Sequence, residues 1–100
     1  MPITIAAKPE SNLVQITIEG RFDFTCHAEF RKAFASAPSG ANFMLDLSGA
    51  TYMDSAALGM LLLLRDKVGG DVNRVQITNA QGQPKDVLTV ANFGQLFRLS

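Results

Sequence analysis

Phe43-Met44-Leu45-Asp46-Leu47-Ser48-Gly49-Ala50-Thr51-Tyr52-Met53-Asp54-Ser55-Ala56-Ala57-Leu58-Gly59 is the stretch that decides how this chain folds. The run Phe43–Leu47, apolar but for one aspartate, predicts a strand covered on both faces, and the Ser-Gly-Ala-Thr link after it delivers the chain to Asp54-Ser55. Asp and Ser both make good N-caps, because a side-chain oxygen accepts a hydrogen bond from an amide that the first helical turn leaves unpaired. A helix therefore starts here and runs to about Val68, where Gly69-Gly70 ends it. At such a start Ser55 meets amide donors and the positive end of the helix dipole, so a phosphate on its hydroxyl would suit the fold.

Projected at 3.6 residues per turn, the helix gathers Ala57, Leu61, Leu64 and Val68 into a core stripe. Ser55, Gly59, Leu62 and Asp66 fall opposite, flanked by Leu58 and Leu63. That second side is too apolar for a surface helix, so it is either buried as well or an exposed patch meant for a partner.

Working outward, Leu13–Glu19 alternates, with Val14, Ile16 and Ile18 on one side and Gln15, Thr17 and Glu19 on the other. Such alternation marks a strand with one wet face, so helices are expected mainly on one side of the sheet. Ile3–Ala6 predicts a first strand that forms a hairpin with it through the turn-prone Lys8-Pro9-Glu10-Ser11-Asn12. A helix is expected from Thr25, as N-cap, to Ala37, with Cys26, Phe30, Ala33, Phe34 and Ala37 inward, Glu29, Arg31, Lys32 and Ser36 outward, and Pro38-Ser39-Gly40 as its stop. Val72–Thr78 reads as a strand with Val75 and Ile77 inward. A short helix comes next, with Pro84 in its first turn and Val87, Leu88, Val90 and Ala91 apolar, and then a short last strand over Leu96–Leu99. The result is an α/β chain, one domain over residues 1–100, with a mixed sheet of about five strands whose later members run parallel.

Composition narrows the function. One hundred residues, 47% of them hydrophobic, build one core without disulfides. A net charge of zero gives no basic excess for a nucleic-acid backbone. The N-terminus lacks a signal-peptide pattern, and the apolar run Ala56–Leu64 falls short of the ~20 residues that span a bilayer, so no membrane role and a cytoplasmic location are expected. The single Cys26 has no disulfide partner in the chain, which suits a reducing compartment.

With Gly20-Arg21-Phe22-Asp23 upstream, the combination of Asp46-Leu47-Ser48 and Tyr52-Met53-Asp54-Ser55-Ala56-Ala57-Leu58-Gly59 resembles the STAS domain of anti-sigma factor antagonists over essentially the whole chain. The resemblance implies that Ser55 is a phosphoacceptor and that Asp54 and Asp23 belong to the same partner-binding site. It implies an unphosphorylated form that binds an anti-sigma factor which is also the serine kinase, and a PP2C-like phosphatase that reverses the mark. Ala56 and Ala57 replace the usual Ser-Gly pair, leaving Ser55 as the only hydroxyl of the turn. The resemblance also implies a closing C-terminal helix where this sequence stops at Ser100, so a fold lacking that helix is expected, with self-association open as a substitute. Together with the apolar outer side of the helix, the expected partner-binding residues are Asp23, Asp54, Ala56, Leu58, Gly59, Leu62 and Leu63.

From capping chemistry alone Ser55 is an ordinary helix cap and Asp23 an ordinary turn former. Catalysis and metal binding are not expected: Cys26 and His27, adjacent on a helix, point apart, no further Cys or His completes a zinc set, and no nucleophile elbow or phosphate-binding glycine loop is present. No cofactor is expected. A second functional reading needs no switch: a constitutive STAS scaffold subunit of a cytoplasmic lipid-transport ATPase complex, docked through the same helix. Nucleotide binding near Asp23 and Ser55 is a third.

Overall fold

The computed structural model describes residues 3–8, 12–35, 37 and 40–99. Strand β1 (Ile3–Lys8) and strand β2 (Leu13–Phe22) form an antiparallel hairpin with Ile3 opposite Ile18 and Ile5 opposite Ile16. From β2 onward helices and strands alternate: α1 (His27–Ala35), β3 (Asn42–Met53), α2 (Ser55–Lys67), β4 (Val75–Thr78), α3 (Gly82–Val90) and β5 (Arg98–Leu99). β2, β3, β4 and β5 pair in parallel, so the five-stranded sheet is mixed and keeps the order β1-β2-β3-β4-β5. The predicted turn around Pro9–Ser11, the outward Ser36 and the Pro38-Ser39 stop lie outside the described residues.

Period-two patterning places Val14, Ile16 and Ile18, Phe43, Leu45 and Leu47, and Val75 and Ile77 in the core. Phe30, Ala33 and Phe34 of α1, Ala57, Met60, Leu61 and Leu64 of α2, and Leu88 of α3 close over them. Residues of the other parity, Gln15, Thr17, Met44, Asp46, Gln76 and Thr78, are only half-buried, so the helices cover one face and leave the other open. The expectation that Phe43–Leu47 is covered on both faces is therefore corrected. What reads as an apolar run is an alternating strand in which Met44 and Asp46 occupy the open face.

Several boundaries also move, each for a local reason. β3 is twelve residues long and absorbs the expected Ser-Gly-Ala-Thr link, because β2 keeps pairing with it until Phe22 meets Met53. The first helical segment begins as a 3-10 turn over Phe24–Cys26, capped by Asp23 rather than by Thr25. Val72–Arg74 forms a 3-10 turn capped by Asp71, which shortens the expected strand to β4. Another 3-10 turn, Phe93–Gln95, precedes β5, and the Phe93 and Phe97 rings stack at 5.4 Å in the core, so that among the described residues Arg98 and Leu99 pair. α2 ends as expected: Gly69 and Gly70 take φ of 73° and 78°, and the Gly70 amide donates to the Arg65 carbonyl at 2.9 Å. That positive φ is where glycine is needed, since a Cβ would strain it.

Candidate functional site

β2 and β3 end in step, Phe22 beside Met53, and the chain leaves each strand through an aspartate. Both aspartates have extended backbone, and each caps the helical turn that begins immediately after it. Asp54 Oδ1 accepts from the Ala57 amide at 2.9 Å and starts α2. Asp23 Oδ1 accepts from the Thr25 amide at 3.0 Å and also from the Thr25 hydroxyl. Its other oxygen accepts from Arg21 Nε at 3.2 Å. The Arg21 guanidinium in turn lies 4.1 Å from the ring centre of Tyr52, its cross-strand neighbour.

Ser55 is the first residue of α2 and is exposed; Ala56 is half-buried and Ala57 fully buried beneath the cap. Along the helix face below Ser55, Gly59 is exposed and Leu62 and Leu63 each keep 43% of their surface in solvent. Leu58 is half-buried and, with Asp86, Val87, Val90 and Ala91 of the α3 region, lines an open apolar groove of about 320 Å³. Val90 is 86% exposed, so the apolar residues expected in the third helix divide: Leu88 is core, while Val90 extends the surface patch of α2.

Gln83 is a residue that gave no signal in the sequence. Beyond Asp46 the pairing of β3 with β4 has run out, and side chains of the loop after β4 take over that edge of the strand. Asn79 Nδ2 donates to Asp46 Oδ1 at 3.2 Å and Gln81 Nε2 to the Ser48 carbonyl at 3.4 Å. Gln83, in the first turn of α3, accepts from the Met53 amide at 2.8 Å and donates to the Met53 carbonyl at 2.9 Å. The backbone just before Asp54-Ser55 is thus held at both polar atoms of Met53 from α3. Gln83→Ala leaves both part-buried groups without this partner and is expected to lower stability by about 1–3 kcal/mol. Urea unfolding checks this, and a change under a few tenths of a kcal/mol would mean that water replaces the clamp.

The carboxyl groups of Asp23 and Asp46 are held below their ordinary 3.8, Asp23 first by the Thr25 hydroxyl and then by the Thr25 amide and Arg21, Asp46 by the Ser48 amide and then Asn79. A depressed folded-state pKa stabilises the fold above the unfolded value, and that contribution is lost as pH falls through the folded value. Carboxyl NMR titration should therefore show both groups inflecting below 3.8, with the Thr25 amide signal moving together with Asp23. An inflection at or above that value would remove the capping bonds from solution.

Among the described residues no three His, Cys, Asp or Glu side chains gather into a metal-holding group, and no helix is long and apolar enough to cross a membrane. Cys26 is buried, its thiol donating to the Arg21 carbonyl at 3.3 Å.

The sheet keeps sequence order after an opening antiparallel hairpin, Asp-Ser starts the helix after the central strand, and the sequence is matched over residues 5–99 by the family model described as Mlab, STAS domain. The chain belongs to the STAS-domain family. The resemblance drawn from Asp46-Leu47-Ser48 and Tyr52–Gly59 is thereby borne out. A STAS-domain containing protein of Pseudomonas aeruginosa (strain UCBPP-PA14) is 42% identical over 101 residues, covering all of both chains. Among solved structures, the anti-sigma factor antagonist SpoIIAA in its unphosphorylated form superposes with a TM-score of 0.73 at 16% identity, over 98% of this chain and 86% of that one. A putative anti-sigma factor antagonist from Thermotoga maritima gives 0.78 at 17% identity, over 98% and 83%. At such identities these two likenesses show the STAS fold and nothing finer.

Proposed function

We propose that this STAS domain acts as an anti-sigma factor antagonist-like switch, binding an anti-sigma factor that is also a serine kinase while Ser55 is unmodified and letting go when Ser55 is phosphorylated. One observation carries the reading: Ser55 is an exposed first-turn residue of α2, heading the same helix face on which Leu62 and Leu63 stand in solvent. A phosphate there meets the positive end of the helix and leaves the fold intact, while any protein that covers the leucines must also take the new charge out of water. The fold shared with SpoIIAA and with the Thermotoga maritima protein supports the class. Asp54 starts the helix that presents the serine, and Ala56, Leu58, Gly59, Leu62 and Leu63 form the contact face. A PP2C-like phosphatase resets the system.

The test combines two measurements. Incubation with the candidate kinase and ATP, followed by peptide mass spectrometry, should place phosphate on Ser55. Affinity capture with Ser55→Ala and Ser55→Asp baits should recover the anti-sigma factor with the first and markedly less of it with the second. Equal capture by both, of an ATPase subunit, would replace the switch by the constitutive scaffold that uses the same helix face.

A further inference from the structure

We propose that the outer edge of β1 pairs with the same edge of a second copy of this chain, antiparallel and centred on Ile5, joining two five-stranded sheets into one. The surface involved includes neither Ser55 nor the leucines of α2, so the pairing stands apart from the switch. β1 closes the sheet order at one end, and among the described residues its only strand partner is β2. A strand in that position turns a row of backbone amides and carbonyls outward, and what satisfies such a row is another extended strand.

The two edges of this sheet are built differently. β5, at the far end, is two residues long and holds Arg98, and short charged edges resist pairing. β1 runs for six residues and stays in register with β2 at every position from Ile3↔Ile18 to Lys8↔Leu13, without the shifts that interrupt the pairing of β2 with β3. Its sequence, Ile-Thr-Ile-Ala-Ala-Lys, has no proline and no charge before Lys8, and it opens on β-branched residues, the type that strands favour.

Ile5 shows that this edge is unfinished. It has the core-facing parity of Ile3 and stands opposite the fully buried Ile16, yet it is 50% exposed where Ile3 is 7% exposed. The layer that buries Ile3 and Ile16 leaves Ile5 uncovered. A two-fold interface sets a surface against itself, so the surface must be self-complementary. Antiparallel pairing keeps opposite side chains on one face, and centring on Ile5 sets it against the partner's Ile5, with Thr4 opposite Ala6 and Ile3 opposite Ala7. Lys8, the one charge of the strand, then falls at opposite ends of the ladder in the two copies, and no like charges face each other. Both copies carry their helices on the same side of the joined sheet, which leaves both α2 faces outward.

Sedimentation velocity of the full chain, from a few micromolar to a few hundred micromolar, tests the pairing. One strand pair buries less than the ~1,200 Å² of a stable interface, so the dimer should be weak, with a Kd on the order of 100 µM. Ile5→Lys sets two like charges face to face and should raise that Kd more than about tenfold, while its circular dichroism and thermal midpoint at low concentration stay close to wild type. Ile5→Cys asks the same question without a charge. Under mild oxidation, at concentrations where wild type pairs, it should cross-link through position 5, because opposite Cα atoms lie ~4.5–5.5 Å apart, within reach of a disulfide. Thr4→Cys should not, since in this register its own copy is a diagonal neighbour ~7–8 Å away. The native Cys26 is buried and does not compete. Wild type that sediments as a monomer throughout, a dimer that survives Ile5→Lys, or Thr4→Cys cross-linking as readily as Ile5→Cys would each overturn the pairing.

Discussion

Phe30→Ala is expected to lower stability by about 3–5 kcal/mol, the usual cost of removing a fully buried aromatic ring from a core that cannot collapse around the gap. The Phe30 side chain is completely buried, its ring 5.3 Å from that of Phe22 and 5.6 Å from that of Phe34. α1 is only nine residues long, too short to hold itself together in water, so its helical state depends on this packing. Domains of this size are stable by roughly 5–15 kcal/mol in total, and the loss should bring the thermal midpoint down by on the order of 20 °C. Leu62→Ala on the exposed face of α2 should change stability by less than about 0.5 kcal/mol under the same conditions. Thermal and urea unfolding of the two variants side by side give the comparison. A small effect at Phe30 would mean that the layer joining α1 to β2 is not the core on which the site stands, and a large one at Leu62 would mean that the leucine face is structural.

The period-two pattern of Val14, Ile16 and Ile18 and the helical spacing of Ala57, Leu61, Leu64 and Val68 make the sheet and the inner side of α2 legible in the sequence, because local geometry dictates which residues share a face. Asp54 is legible as a cap for the same reason, its partner lying three residues away. What escapes the sequence depends on distance along the chain or on competition between equals. Asp23 and Thr25 are both capping residues two positions apart, and the pairing of β2 with β3 up to Phe22 selects the first. Gln83 grips a residue thirty positions upstream, a contact for which an isolated glutamine gives no periodic signal. Phe24 precedes an amphipathic helix, where an aromatic ring ordinarily reads as core. Its exposure comes from the 3-10 turn, which the helical projection from Thr25 does not include.

The electrostatics at Ser55 set the second large effect. Phosphorylation adds about −1.5 to −2 charge at the first position of α2, where the helix end favours an anion by about 0.3–1 kcal/mol and thermal unfolding of the modified protein should show little change. The neighbouring Asp54 carboxylate is already engaged by the Ala57 amide, so it does not swing away to relieve the new charge. When a partner covers Leu62, Leu63 and the Leu58 groove, water leaves this end of the helix, and stranding the phosphate there is expected to cost about 3 kcal/mol, roughly a hundredfold in affinity. Ser55→Asp supplies only a single charge on a shorter side chain and should weaken binding about tenfold, whereas Ser55→Ala should bind like the unmodified protein. Leu62→Asp, two helical turns away with Ser55 intact, should reproduce the release, because the penalty comes from charge under the covered face and not from the serine as such. Calorimetric titration of the phosphorylated protein and these variants against the same purified partner gives the ranking, with phosphoserine weakest. Equal affinity for the phosphorylated and unmodified proteins would show that the partner leaves Ser55 in water, and the docking face would then have to lie elsewhere on the molecule.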